Sequence, residues 1–119
     1  MPTPSTTGAL ETIEGILNRG GDADEVLRQV VLALTERAGY VWAGVFFAEE
    51  GALQLGPYAG EPDERRRTTI DVVWSGARVA VLAVDGAPPE DVAFLERVGV
   101  LVSGQCLVGW DTGGEPWES

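Results

Sequence analysis

The 119-residue chain contains no histidine and a single cysteine, Cys106. Without histidine it lacks the commonest general base, metal ligand and physiological pH switch. One cysteine excludes an internal disulfide framework and a cysteine-rich metal site. Lysine is absent as well: all 8 basic residues are arginine, against 19 acidic ones, giving a net charge of −11. Such a balance argues against nucleic acid and against anionic membrane surfaces as partners. Its plainest role is solubility. No apolar run approaches the roughly 18 residues that span a bilayer. The opening stretch MPTPSTTGALETIEG has neither the basic region nor the apolar region of a secretory signal. The expected compartment is the cytoplasm, and no cofactor or metal is expected.

What remains is a hydrophobic fraction of 45%, enough to build the core of one domain of ordinary size. Residues 1–8 are rich in Pro, Ser, Thr and Gly and are expected to be a flexible tail. Residues 9–110 are expected to form the domain, and 111–119 an acidic flexible tail. Leu10, Ile13, Ile16 and Leu17 follow a helical spacing that Gly20 and Gly21 end. A second helix opens at Asp22, with Glu25 placed to complete a capping box. Its apolar stripe is Leu27, Val30, Val31, Leu34 and Ala38, and Gly39 stops it.

Val41 to Ala48 is β-branched, aromatic and apolar on both faces, the pattern of a central strand covered on both sides. After Glu49-Glu50-Gly51 the chain returns as a second strand, Ala52 to Tyr58, in which Pro57 restricts pairing to an edge or a strand end. Glu61 to Arg67 reads as a charged loop. Strands follow at Thr68–Trp74 and Arg78–Val84, joined by Ser75-Gly76. Pro88-Pro89 opens a closing helix, expected to run to about Val108 or Gly109. Two hairpins flanked by helices in the order α-α-β-β-β-β-α predict an α+β fold, with helices on one face of an antiparallel sheet.

Few residues offer chemistry. Cys106 lies among Val102, Leu107 and Val108 with no neighbouring basic residue to lower its pKa, and reads as a structural cysteine. The carboxylates of Glu49-Glu50, Glu61, Asp63, Glu64, Glu90 and Asp91 sit at turns and a helix start, where they are solvated or capping. Asp71 and Asp85 are better placed, although Asp85 precedes Gly86 and reads first as a turn residue and second as a ligand contact. Trp42, Phe46, Phe47, Tyr58 and Trp74 either fill the core or line a cavity between sheet and helices. Trp110 and Trp117 stand near the tail. The closing helix is apolar on more than one face, wider than one sheet contact requires. Phe94, Leu101 and Leu107 are therefore candidates for a homodimer interface, with Gly99 and Gly104 allowing close approach of a second helix.

Trp42-Ala-Gly44-Val-Phe46, Leu55-Gly-Pro-Tyr-Ala-Gly60, Ala80-Val-Leu-Ala-Val-Asp85 and Pro89-Glu-Asp-Val-Ala-Phe94-Leu95 together resemble a GAF domain. The Leu-Gly-Pro-Tyr-x-Gly segment is the most specific piece and is similar to that of the free methionine-(R)-sulfoxide reductase branch. The resemblance spans most of Asp22 to Val108. It implies a profilin-like antiparallel sheet of about four strands in the order 2-1-4-3, which makes the first strand central. The departures are concentrated in the family's catalytic parts. Only EPDERRR stands where the family carries a long segment with its redox cysteines and pocket roof, and Cys106 matches none of those cysteines. The family's substrate-binding Glu falls on Thr69, the first Asp of its last strand falls on Ala83, and Phe46 replaces a Tyr. Trp42 and Asp85 alone match that binding set.

The expectation is a non-catalytic GAF-like module for dimerisation, small-ligand binding or both. The candidate ligand residues are Trp42, Phe46, Tyr58, Asp71, Trp74 and Asp85. Two alternatives stand beside it: a divergent methionine sulfoxide reductase-like enzyme, and a structural protein acting through an unknown protein partner.

Overall fold

A computed structural model of the chain describes residues 4–49 and 52–107, and the side chains of 6–49 and 52–106. Its centre is the first strand, β1 (Trp42–Glu49), which pairs with β2 (Ala52–Gly60) on one side and β4 (Ala77–Asp85) on the other. β3 (Arg67–Trp74) pairs with β4 at the far edge, so the antiparallel order is β2-β1-β4-β3. The order implied by the resemblance is the one observed.

Alternation assigns each strand residue to a face. Ala43, Val45, Val72, Ala80, Leu82 and Val84 join the hydrophobic core with the helices. α1 (Pro4–Arg19), α2 (Ala23–Glu36) and α3 (Val92–Val102) all lie on that side. α2 buries Val26, Leu27, Val30, Val31, Ala33 and Leu34: four residues of the predicted stripe with Val26 and Ala33 added, while Ala38 lies beyond the helix end and is only partly buried. Among the described residues no helix is long and apolar enough to cross a membrane.

One helix start and one predicted cap differ from expectation. α1 begins at Pro4, so residues 4–8 are helix and not a loose tail. Proline suits a first helical turn, where its missing N–H leaves nothing unpaired. Buried Thr6 and Ala9 extend the inward stripe of Ile13 and Ile16 by one turn, which composition alone conceals. The expected acidic tail, 111–119, lies outside the described residues. At α2, Asp22 has the extended backbone of an N-cap, but its side chain makes no capping bond. The capping box does not form: Glu25 accepts from Arg28 at 2.6 Å and from Gln29 at 3.1 Å instead.

The closing helix is also shorter than predicted. A 3-10 turn at Pro89–Asp91 precedes α3, and a second at Ser103–Leu107 follows it. The Ser103 hydroxyl donates back to the Val100 carbonyl at 2.9 Å, and Gly104 follows, so two poor helix formers tighten the last turn. Gly99 faces the chain's own sheet, where a methyl group would lie 3.5 Å from Ile70 Cγ2, in ordinary contact. Gly104 faces Trp74, whose ring would lie 3.6 Å from such a methyl.

A buried hydrogen bond ties the helix layer to the sheet. The Tyr40 hydroxyl donates to Asp91 Oδ2 at 2.7 Å, joining the start of β1 to the start of α3. Burial, and then the neighbouring Asp91, push the Tyr40 hydroxyl well above the ordinary phenol range. The other oxygen of Asp91 is buried without a hydrogen-bond partner.

Candidate functional site

The face of the sheet turned away from the helices carries three rows of side chains. Register places Gly60, Trp42, Asp85 and Arg67 side by side across the four strands. Tyr58, Gly44, Ala83 and Thr69 form the second row, and Leu55, Phe46, Val81 and Asp71 the third. β1 is apolar on both faces, yet none of the described helices covers this one.

Side chains of the face cover it instead. Trp42 is only 3% exposed. Its indole lies down over the second row, because a methyl group on Gly44 would sit 2.5 Å from Trp42 Cη2 and 2.7 Å from Cζ2. Gly44 is therefore the residue that lets the indole lie flat. Tyr58 stacks beside it with centroids 6.3 Å apart and planes at 27°, and Phe46 lies 6.3 Å away at 49°. On the other side the Arg67 guanidinium carbon sits 4.4 Å from the ring centroid, a cation–π contact.

Beneath Arg67 lies Asp85, whose side chain is 0% exposed. Arg67 donates from Nε to Oδ1 at 2.8 Å and from Nη2 to Oδ2 at 3.1 Å, a bidentate pair. The Asp63 amide donates to Oδ2 at 2.6 Å, which fixes the segment between β2 and β3 over the strand ends. Burial alone would raise the Asp85 carboxyl, but the bonds from Arg67 and the Asp63 amide outweigh it and hold it below the usual carboxylate range. The hydrogen bond to Asp85 raises Arg67 in turn.

A cavity of about 520 Å³ opens over this layer, walled by Trp42, Phe46, Leu55 and Tyr58 and rimmed by Glu61, Glu64 and Arg67. It brings together three of the six candidate ligand residues, Trp42, Phe46 and Tyr58. Asp85 lies below them with both oxygens engaged by Arg67 and Asp63. Asp71 stands in the third row, 3.8 Å from Arg78, and lines a separate cavity of about 570 Å³ at the β3 edge with Thr69, Glu96 and Val100. Trp74 belongs to the helix side, against Gly104, and takes no part in the Trp42 cavity. Of the proposed interface residues, Phe94 is buried in the core, Leu101 is half-buried, and the side chain of Leu107 lies outside the described residues. Phe94 belongs to the same buried cluster as Leu95 and Val98. Cys106 is buried in the same helix-side core, and burial pushes its thiol up to about 12.

Arg67 is the functional residue that the sequence concealed. Counting outward from the Ser75-Gly76 turn without a bulge pairs Arg67 with Val84. The extra residue Val79 shifts the register between Val72 and Val73, so Arg67 meets Asp85 instead. The same bulge moves Asp85 from the helix side to the face of Trp42. A second irregularity, at Gly56-Pro57 opposite Val45, accommodates the proline on the edge strand and turns Tyr58 toward Trp42.

No family model matches the chain, and no curated protein matches it in sequence. Solved structures do resemble it. The free methionine-R-sulfoxide reductase of Neisseria meningitidis in complex with its substrate superposes with a TM-score of 0.70 at 12% identity, over 94% of this chain and 96% of that one. The corresponding reductase of Staphylococcus aureus, also with substrate, gives 0.67 at 16% identity over 89% and 97%. The GAF domain of an Acinetobacter phosphoenolpyruvate-protein phosphotransferase gives 0.73 at 11% identity over 98% and 100%. At such identities the likeness is one of architecture, and the conclusion it carries is that this chain has the GAF-like fold.

Proposed function

We propose that the chain is a non-catalytic GAF-like module that binds a small molecule on its open sheet face. The observation that carries this is the aromatic cavity of about 520 Å³ over Trp42, Phe46 and Tyr58. Its size falls within the range of small-molecule sites, and its apolar walls with a few polar rim groups fit their usual make-up. Two neighbours of the same fold were solved with substrate bound, which supports a ligand-binding role for this architecture. The cavity lining contains no thiol and no imidazole. Cys106, the chain's one thiol, is buried on the opposite side of the sheet and pushed up to about 12, which supports binding without redox turnover. A metabolite panel tested by thermal shift, with hits mapped by amide and indole NMR, should yield compounds that move Trp42, Tyr58 and Gly60 together. A panel in which nothing stabilises the chain or shifts those signals would refute the reading.

A second reading, homodimerisation, is favoured by α3, where Val92 and Val100 are 37% and 65% exposed. Light scattering should then give twice the chain mass, and Val100→Asp should return the monomer.

A further inference from the structure

We infer that the cavity over Trp42 selects a small organic cation with alkyl groups on its charged centre and no carboxylate. The inference rests on the cavity being a ligand site, and it adds the chemistry of the occupant. Three features of the lining point to it.

The first is charge. The cavity is rimmed by Glu61, Glu64 and Arg67. Arg67 is committed to Asp85 through two hydrogen bonds at 2.8 and 3.1 Å, so its positive charge is already matched. The lining is then net negative, with two acids, Glu61 and Glu64, against one arginine already bonded to Asp85, and the Glu64 side chain is 81% exposed. Glu64 reaches Arg67 Nη1 only at 4.0 Å, too far for a hydrogen bond. A ligand carboxylate would find no free cation among the lining residues and would meet two acids. A cation would meet the opposite.

The second is the aromatic wall. The Phe46 and Tyr58 ring centroids each lie 6.3 Å from that of Trp42, whose own faces are taken by Gly44 and Arg67, so Phe46 and Tyr58 are the rings left to meet a ligand. Ring faces attract cations electrostatically, most strongly when the cation is poorly hydrated, and alkylated ammonium groups are the best suited. Arg67 demonstrates this within the chain, resting 4.4 Å from the Trp42 ring centroid. Tyr58 is 57% exposed and offers a ring that no cation covers among the described residues.

The third is the apolar remainder. Leu55 is 50% exposed at the cavity wall beside Phe46, where it can meet methyl or methylene groups but not a hydrated ion. A bare metal ion or a primary ammonium ion would leave this wall unused. An alkylated ammonium with a short body matches the acids, the rings and Leu55 together.

The test is calorimetric titration of the full chain with three probes of similar size, each also followed at the Trp42 indole and Gly60 amide signals by NMR. The probes are choline, its neutral carbon isostere 3,3-dimethylbutan-1-ol, and methionine sulfoxide as a carboxylate-bearing compound. Choline should bind about ten-fold more tightly than the isostere. Its affinity should fall several-fold in Tyr58→Ala and in Glu61→Gln/Glu64→Gln. These variants change exposed residues and are expected to fold, which the unchanged spectrum of the helix-side core verifies. Equal binding of choline and the isostere would overturn the cation assignment, as would tighter binding of methionine sulfoxide, while leaving the cavity a ligand site. Failure of all three probes to move the Trp42 and Gly60 signals would overturn both.

Discussion

Replacing Arg67 by alanine removes the guanidinium that engages both oxygens of Asp85 and rests on Trp42. Asp85, whose side chain is 0% exposed beneath Arg67 on the open face, would retain the Asp63 amide and lose its charge partner. Breaking a buried ion pair in this way costs about 3–5 kcal/mol. The Arg67 side chain is 20% exposed, so water can enter the gap, and the lower end, about 3 kcal/mol, is the expected loss. In a domain of this size that corresponds to a drop in Tm of roughly 12 °C. The pH dependence gives a second handle. Asp85 is held below its unfolded value, so its contribution is present above the ordinary carboxylate pKa of about 4 and is lost as pH falls through the lower folded value. The gap between wild type and Arg67→Ala should therefore be full at pH 7 and narrow at lower pH. Urea denaturation followed by far-UV circular dichroism at pH 7 and near pH 3 measures both. Adding Asp85→Asn to Arg67→Ala should recover part of the loss, because the uncompensated charge is gone. A loss under about 1 kcal/mol at pH 7, with no narrowing in acid, would refute the account of this row.

Gly44→Ala should cost about 1–3 kcal/mol, since the new methyl would meet Trp42 Cη2 at 2.5 Å and force the indole off the sheet; denaturation measures the loss, and near-UV dichroism should show the changed Trp42 environment. Tyr40→Phe should cost about 1–3 kcal/mol, because Asp91 would lose the Tyr40 hydroxyl while its other oxygen is already buried without a partner. Cys106 should resist iodoacetamide in the native state, its thiol being buried and pushed up to about 12, and should label readily in urea; rapid native labelling followed by mass spectrometry would contradict that placement. Methionine sulfoxide turnover coupled to thioredoxin should stay at background in both wild type and Cys106→Ser.

How much of this could be read from the sequence depends on what each residue reports. α2 was legible because Leu27, Val30, Val31 and Leu34 repeat at helical spacing and all four are buried. β1 was legible as central because Trp42 to Phe47 is apolar on both faces, and Pro57 as an edge marker because it lacks a ladder donor. The cover over the open face of β1 was not legible. It consists of the strand's own indole folded onto Gly44, and sequence alone does not tell a side chain that buries itself from one buried by a helix. The site depends on two irregularities of register, at Val79 and at Gly56-Pro57, each of which changes what a strand residue faces. Periodicity places Asp85 on the helix side, and one extra residue reverses it. Arg67 was hidden for the same reason, within a segment whose composition reads only as charged. The start of α1 was masked by Pro4, Ser5, Thr6 and Thr7, which are loop residues by composition but suit a first helical turn when Thr6 is buried.

The claim that the open sheet face binds a small molecule is tested most directly at the Trp42 indole N–H. Its resonance should be followed during titration with compounds that stabilise the chain, in wild type and in Tyr58→Ala. A saturable shift in wild type that is weakened several-fold in Tyr58→Ala is the predicted result. An unmoved resonance at ligand concentrations that stabilise the protein would place binding elsewhere and contradict the account.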